Sequence, residues 1–248
     1  MTILVTGGTK GIGLALARRL ARPSEPIVLN FHSDTNAAAS AEAELAKTGA
    51  LVTTVQANVG EIRGAQRVMD AVAATGGGPL RLVHSAAMIY PTALLDADLD
   101  RFNEAIQVNG LSLLYLVRAG LPLLTPGGSV VFISSSGART VTPTYAAVGV
   151  GKALAESLVR YLVPELASRG VRINAVAPGL VETTSVAGMV GGEAAAAKMF
   201  ERAARSNPSG RLIRDEDYAA VVEFLLGPQA EFVQGQVIHV NGGAYIPS

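Results

Sequence analysis

The chain has 248 residues, 49% hydrophobic and 16% charged, which suits one large domain or two small ones and excludes disorder, collagen and coiled-coil arrays. Twenty Lys plus Arg balance twenty Asp plus Glu, so no net field draws the chain to nucleic acid or to an anionic membrane, and neither is an expected partner. Cys is absent and the three His are scattered, so disulfides, thiolate nucleophiles and Cys-type zinc sites are excluded, no metal is expected, and the chemistry falls to oxygen and nitrogen groups.

The opening residues, MTILVTGG, enter a strand-like run without the basic and apolar regions of a signal peptide, so the expected location is cytoplasmic. Short β-rich runs then alternate with longer helical patterns. In chain order the prediction is strand Ile3–Thr6, helix Ile12–Ala21, strand Ile27–Phe31, helix Asn36–Lys47, strand Leu51–Val55, helix Ile62–Ala74, strand Leu80–His84, helix Leu99–Leu121 and strand Val130–Ser134. Helix Tyr145–Ser168, strand Arg172–Val176, helices Glu193–Ala204 and Asp215–Leu226, and strand Val237–Val240 follow. Pro23, Gly49, Gly76 to Gly78, Gly127, Gly128, Gly170, Gly227 and Pro228 fall just past helix ends. The strands are continuous apolar runs, as in a parallel sheet covered by helices on both faces. The most apolar stretch, Leu111 to Leu124, is interrupted by Arg118, Gly120 and Pro122 and does not suit a membrane span. No segment resembles a linker, so residues 1–248 are expected to form a single α/β domain around a seven-stranded parallel sheet.

The first strand runs into Thr6-Gly7-Gly8-Thr9-Lys10-Gly11-Ile12-Gly13, and Ile12, Leu16 and Leu20 then mark a helix. A glycine-rich turn between strand and helix suits a dinucleotide pyrophosphate: backbone N–H groups and the helix dipole favour the anion, and glycines allow close approach. A tight ligand-free turn is the plainer alternative. The second strand ends in Asn30-Phe31-His32-Ser33-Asp34, with no acid at the strand end to bind a ribose 2′-hydroxyl and repel a 2′-phosphate.

The TGxxxGxG spacing resembles that of the short-chain dehydrogenase/reductase family, a single-domain Rossmann fold, and the resemblance extends to Asn241-Gly242-Gly243. It implies a nicotinamide cofactor on Gly7, Thr9, Lys10, Gly11, Ile12 and Gly13. A basic residue at the position of Lys10 goes with NADP in the family, and His32 and Ser33 are further phosphate candidates. NADP(H) is therefore favoured over NAD(H), with Asp34 the dissenting residue. The resemblance also places Asn58 and Val59 against adenine, and Ser85, Ala86 and Ala87 close to the cofactor. His84 to Ala87 occupy the family's Asn-Asn-Ala-Gly position and lose its Asn side chains. Pro178, Gly179, Val181 and Thr183 match the nicotinamide carboxamide segment.

Hydride transfer needs a proton donor or oxyanion stabiliser, and a Tyr whose pKa is lowered from about 10 by a neighbouring ammonium provides one. Most relatives carry Tyr-x-x-x-Lys. Here Tyr145 precedes Lys152 by seven residues, about two helical turns, which puts both on one face if the helix already runs at Tyr145. The text after Lys152 resembles the ordinary family helix, so Tyr145 is the displaced partner and Lys152 is expected at the cofactor ribose. The YxxxxxxK spacing resembles the enoyl-acyl-carrier-protein reductase branch, in particular its NADPH-dependent members. Ser135 is the expected substrate-side serine, chosen from Ser134, Ser135 and Ser136, and Asn109 matches the family's helix Asn of the proton relay.

Three readings follow: reduction of the C=C of a 2-enoyl acyl thioester, a 3-oxoacyl or polyketide ketoreductase, and a noncatalytic NADP-binding regulator. The expected partner is a small-molecule or carrier-protein-linked acyl substrate. Residues Ser185 to Ser206 fall at the family's substrate lid, where Met189, Val190, Met199 and Phe200 either line an acyl groove or pack a helix. Relatives usually form tetramers through the two long helices, so a homotetramer or homodimer is expected, with Leu154, Leu158, Tyr161 and Leu162 as a buried stripe.

Overall fold

In the computed structural model, which describes residues 1–183, 186, 188, 189 and 192–246, the apolar runs become parallel strands and the periodic segments become helices on both faces. The order along the chain is β1 (Thr2–Thr6), α1 (Gly11–Leu20), β2 (Pro26–Phe31), α2 (Thr35–Ala46), β3 (Leu51–Gln56), α3 (Ile62–Ala74) and β4 (Leu80–His84). It continues with α4 (Leu99–Ile106), a π turn (Gln107–Leu111), α5 (Ser112–Ala119), β5 (Ser129–Ile133) and a 3₁₀ turn (Ser136–Ala138). Then come α6 (Ala146–Ala167), β6 (Arg172–Pro178), α7 (Glu193–Ser206), α8 (Asp215–Leu226) and β7 (Val237–Val240). Among the described residues the seven strands form one sheet in the order β3-β2-β1-β4-β5-β6-β7.

Alternate residues of the strands feed two separate cores, which is why apolar residues follow one another without polar alternation through the middle of β1, β2 and β5. Leu4, Val28, Leu82, Val130, Phe132 and Ile173 pack with α3, α5 and α6. Ile3, Val5, Ile27, Leu29, Val131 and Val176 pack against α1, α2 and α8. The chain leaves β1 in one direction across the sheet and returns through β4 in the other, opening a crevice at the carboxyl ends of these neighbours. The glycine loop after β1 and residues Ser85 to Ala87 after β4 border that crevice.

Three differences bear on the site, while other ends shift by one or two residues. The single helix Leu99–Leu121 is divided by the π turn, because the Asn109 side chain makes bonds outside its own helix; α5 ends at Ala119. The fifth strand stops at Ile133, one residue early, as the Ser134 hydroxyl turns to a helix carboxylate. Helix α6 begins at Ala146, with Tyr145 as its cap rather than its first residue. Of the expected buried stripe, Leu162 is buried, Leu154 and Leu158 are half-buried, and Tyr161 is 76% exposed, so one chain alone does not cover it.

Candidate active site

The glycine loop is set by close approach. Gly7 lies at φ +62°, and a Cβ on it would stand 2.9 Å from the Ala86 Cα; one on Gly13 would stand 2.1 Å from the Gly7 carbonyl oxygen. Any side chain would push the loop off α1 and off the segment after β4. Lys10 caps α1 in an extended conformation without a side-chain bond to the first turn, so no side chain of its own covers the early N–H groups. Thr9 is buried, Ile12 packs on the second core, and among the described residues a Cβ on Gly11 would meet the Thr183 Cγ2 at 3.7 Å. This glycine cradle at a helix N-terminus fits a pyrophosphate. The predicted segment Pro178–Thr183 reaches the same loop, with Gly179 N donating to the Val240 carbonyl at 2.8 Å.

His84 is the centre of a buried chain of hydrogen bonds. The Ser112 hydroxyl donates to the Val108 carbonyl at 2.6 Å, so it accepts from His84 Nε2 at 2.7 Å. His84 Nδ1 then accepts from the Thr6 hydroxyl at 2.6 Å, and Thr6 Oγ1 accepts the Ser85 and Ala86 N–H groups, each at 3.2 Å. Every hydrogen in this chain has one direction, which fixes the imidazole as neutral with its proton on Nε2. Burial, reinforced by the Lys152 charge, lowers the His84 pKa to about 3. The chain joins the strand beneath the glycine loop to the π turn that carries Asn109.

Beyond the end of β2, Lys10 Nζ lies 3.1 Å from Asp34 Oδ2. Asp34 also caps α2 by accepting from Ala37 N at 3.0 Å, and this backbone bond, with Lys10 second, holds its carboxyl below the usual range. The dissenting acid therefore sits on the predicted phosphate cation. His32 and Ser33 are exposed beside the pair. Asn58 folds into its own turn, accepting from Gly60 N at 3.0 Å, and Val59 is buried.

Tyr145 and Ser135 come together: the phenol donates to Ser135 Oγ at 3.4 Å. Ser135 also caps the 3₁₀ turn, accepting from Gly137 N at 3.1 Å. Ser134 instead donates to Glu156 Oε1 at 2.6 Å, and the Ser136 carbonyl accepts from Thr140. Of the three serines, Ser135 is the one beside Tyr145. A Cβ on Gly149 would stand 2.5 Å from the Gly137 carbonyl oxygen, so the position four residues after Tyr145 has no room for a lysine.

Lys152 is buried, donates to the Ile133 carbonyl at 2.8 Å and lies 4.6 Å from the centroid of the Phe132 ring. Burial lowers its pKa to about 7. The expected ammonium-induced lowering of the Tyr145 pKa is not found: burial pushes the phenol up, and only the Ser135 bond pulls it down. The reason is geometric, since Tyr145 precedes the helix and Lys152 points to the end of β5. Asn109 is fully buried, and its side chain exchanges bonds with Met88 N at 2.9 Å and Met88 O at 2.8 Å and donates to the Ala147 carbonyl at 3.3 Å. It pins the segment after β4 to the start of α6. Met189, Met199 and Phe200 are half-buried, while Val190 and Ser185 lie outside the described residues.

Sequence reasoning missed Ser112, Glu156 and Arg139, and took His84 only as a departure from a motif. A histidine closing an apolar strand was the one available signal. Among the described residues no three His, Asp or Glu side chains are grouped to hold a metal, and no helix is long and apolar enough to cross a membrane.

A family model described as "Enoyl-(Acyl carrier protein) reductase" matches residues 7–245. The chain belongs to the short-chain dehydrogenase/reductase family. Like its relatives in this family it is a nicotinamide-dependent reductase. It is 31% identical to 1-cyclohexenylcarbonyl-CoA reductase of Streptomyces collinus, over 98% of this chain and 86% of that protein. A solved enoyl-[acyl-carrier-protein] reductase (NADH) from Aquifex aeolicus is similar with TM-score 0.85 and 26% identity, covering 100% of this chain and 97% of its own. Actinorhodin polyketide ketoreductase, solved as a variant with NADPH, is similar with TM-score 0.88 and 26% identity, covering 98% and 96%. This short-chain reductase thus has relatives named for both C=C and C=O chemistry.

Proposed function

We propose that this reductase uses NADPH to reduce the C=C bond of a 2-enoyl acyl thioester, carried by an acyl carrier protein or coenzyme A. The observation that carries the reading is the position of Tyr145, which caps α6 seven residues before Lys152 while Gly149, four residues on, has no room for a lysine. The bound nicotinamide supplies hydride, which in enoyl reduction goes to the β-carbon. Negative charge then develops on the thioester oxygen, away from the carbon that accepts hydride. Tyr145 meets this charge as hydrogen-bond or proton donor, with Ser135 beside it as the second hydroxyl. Lys152 holds the ribose, and Asn109 keeps the start of α6 in register with the segment after β4. Gly7 to Gly13 hold the pyrophosphate and Lys10 the 2′-phosphate.

A second reading, reduction of a 3-oxoacyl thioester, is favoured by the Tyr145–Ser135 contact, because a Tyr and a Ser hydroxyl 3.4 Å apart suit one ketone oxygen. The test offers crotonyl and acetoacetyl thioesters in parallel and follows NADPH absorbance. Turnover of the crotonyl thioester is expected, and Tyr145→Phe should lower it by about 10²–10⁴-fold while NADPH still binds. Turnover of the acetoacetyl thioester alone would sink the enoyl reading. We further propose that α4, α5 and α6 pair between copies, supported by the exposed Tyr161 and Val150 on α6.

A further inference from the structure

We infer that Glu156 is a positioning residue for the Ser135–Tyr145 pair, acting by tying both ends of the Ser134–Arg139 segment to helix α6. The inference rests on reading Ser135 and Tyr145 as the reacting pair. The Glu156 side chain is 3% exposed, and its two oxygens have different partners. Ser134 donates to Oε1 at 2.6 Å, and Arg139 Nε donates to Oε2 at 2.9 Å. Ser134 directly follows β5 and is held to the sheet by its own N–H, which donates to the Val176 carbonyl at 2.7 Å. Arg139 closes the 3₁₀ turn that Ser135 caps. One carboxylate therefore grips a six-residue segment at its first and last residues, with Ser135 between them. The same helix is capped by Tyr145 and carries Lys152, so Glu156 sets all three groups in one frame.

The choice of residue type is informative. Its helix neighbours Ala155 and Val159 belong to the apolar core, and an apolar side chain would satisfy burial at lower cost. On β7, His239 lies in the field of both Glu156 and Arg139, with two buried ring nitrogens that have no hydrogen-bond partner among the described residues. Burial opposes its protonation, so it adds no second cation to replace Arg139. A buried ion pair is weak support for stability, and what this one supplies is geometry. The need for it is visible in the Tyr145–Ser135 distance, which at 3.4 Å is at the long limit for two hydroxyls. A shift of a few tenths of an ångström at Ser135 makes or breaks that bond.

The test replaces the ion pair by apolar side chains, Glu156→Met with Arg139→Met, and reads the Tyr145 phenol directly. In protein labelled with [13Cζ]tyrosine, Tyr145→Phe assigns the resonance and Ser135→Ala reports the unbonded phenol at neutral pH. The Met/Met variant is expected to move the Tyr145 resonance to the Ser135→Ala position, and Ser134→Ala, which cuts one tether without touching charge, to move it part of the way. Turnover of whichever thioester the wild type reduces should fall about tenfold or more, with NADPH affinity within about twofold and the thermal midpoint retained. A Tyr145 resonance unmoved in both the Met/Met and Ser134→Ala proteins overturns the proposal. So does a turnover loss that only tracks loss of folded protein or of NADPH binding. If the wild type reduces neither thioester, the acyl-thioester reading fails by itself, and the resonance still decides the role of Glu156.

Discussion

Lys152 donates to the Ile133 carbonyl oxygen at 2.8 Å, from a side chain taken almost wholly out of water at the carboxyl end of β5. This bond holds the amine where the ribose of a bound cofactor is expected, but burial weakens its hold on a proton. The folded chain releases the Lys152 proton at about 7, against 10.5 for an unburied lysine. Between those values the unfolded chain binds more protons, so Lys152 makes stability rise with pH across that window. Lys152→Met lacks this dependence. In cofactor-free protein the variant should gain most on the wild type below about pH 7, and the gain should shrink toward about pH 10. The thermal midpoints of both proteins across pH check this; a difference constant in pH would refute it.

Gly149 should tolerate no side chain. An added Cβ meets a backbone oxygen, the Gly137 carbonyl at 2.5 Å, which cannot move without shifting the 3₁₀ turn beside the Tyr145 ring. Gly149→Ala is expected to cost about 1–3 kcal/mol and to lower turnover along with stability. Gly78→Ala, whose Cβ would have no neighbour closer than 3.9 Å, is the matched control and should stay within about 0.5 kcal/mol of the wild type. Urea unfolding of the two variants gives the comparison.

His84→Asn cannot span from Thr6 to Ser112, and at neutral pH it should cost about 2 kcal/mol for the two bonds. The cost should depend on pH in a defined direction. His84 protonates at about 3 when folded against 6.5 when exposed, so the wild type loses stability as pH falls through that window. The variant does not share this loss, and the gap between the proteins should narrow on acidification. Parallel denaturation curves at several pH values measure it.

Cofactor choice should respond to the Lys10–Asp34 pair, which are 3.1 Å apart and both well exposed. Asp34→Asn keeps a capping side chain for α2 while freeing Lys10, and is expected to tighten NADPH severalfold with NADH unchanged. Lys10→Met should weaken NADPH about tenfold and leave NADH unaffected. Fluorescence titration with both cofactors at one salt concentration decides; equal effects on both would remove Lys10 from the 2′-phosphate.

Local signals carried the architecture. Helices Ile62–Ala74 and Asp215–Leu226 and strands Leu80–His84 and Val237–Val240 have the predicted ends, because period and glycine or proline punctuation act over a few residues. The glycine loop was legible for the same reason: strand, turn and helix are adjacent in the chain. The break at Gln107–Leu111 was not, since Asn109 is held by Met88 and Ala147, 21 and 38 residues away. Ser135 was chosen from the sequence, but the partners that separate the serines were not legible: Tyr145 lies 10 residues from Ser135 and Glu156 22 residues from Ser134. The sequence by itself determined the order of strands and helices and the glycine-rich turn between β1 and α1. Only the tertiary structure decided which hydroxyls meet, that His84 is neutral, and that burial rather than a lysine charge governs the Tyr145 phenol. Those outcomes depend on desolvation and on contacts between distant segments, and no local pattern encodes either.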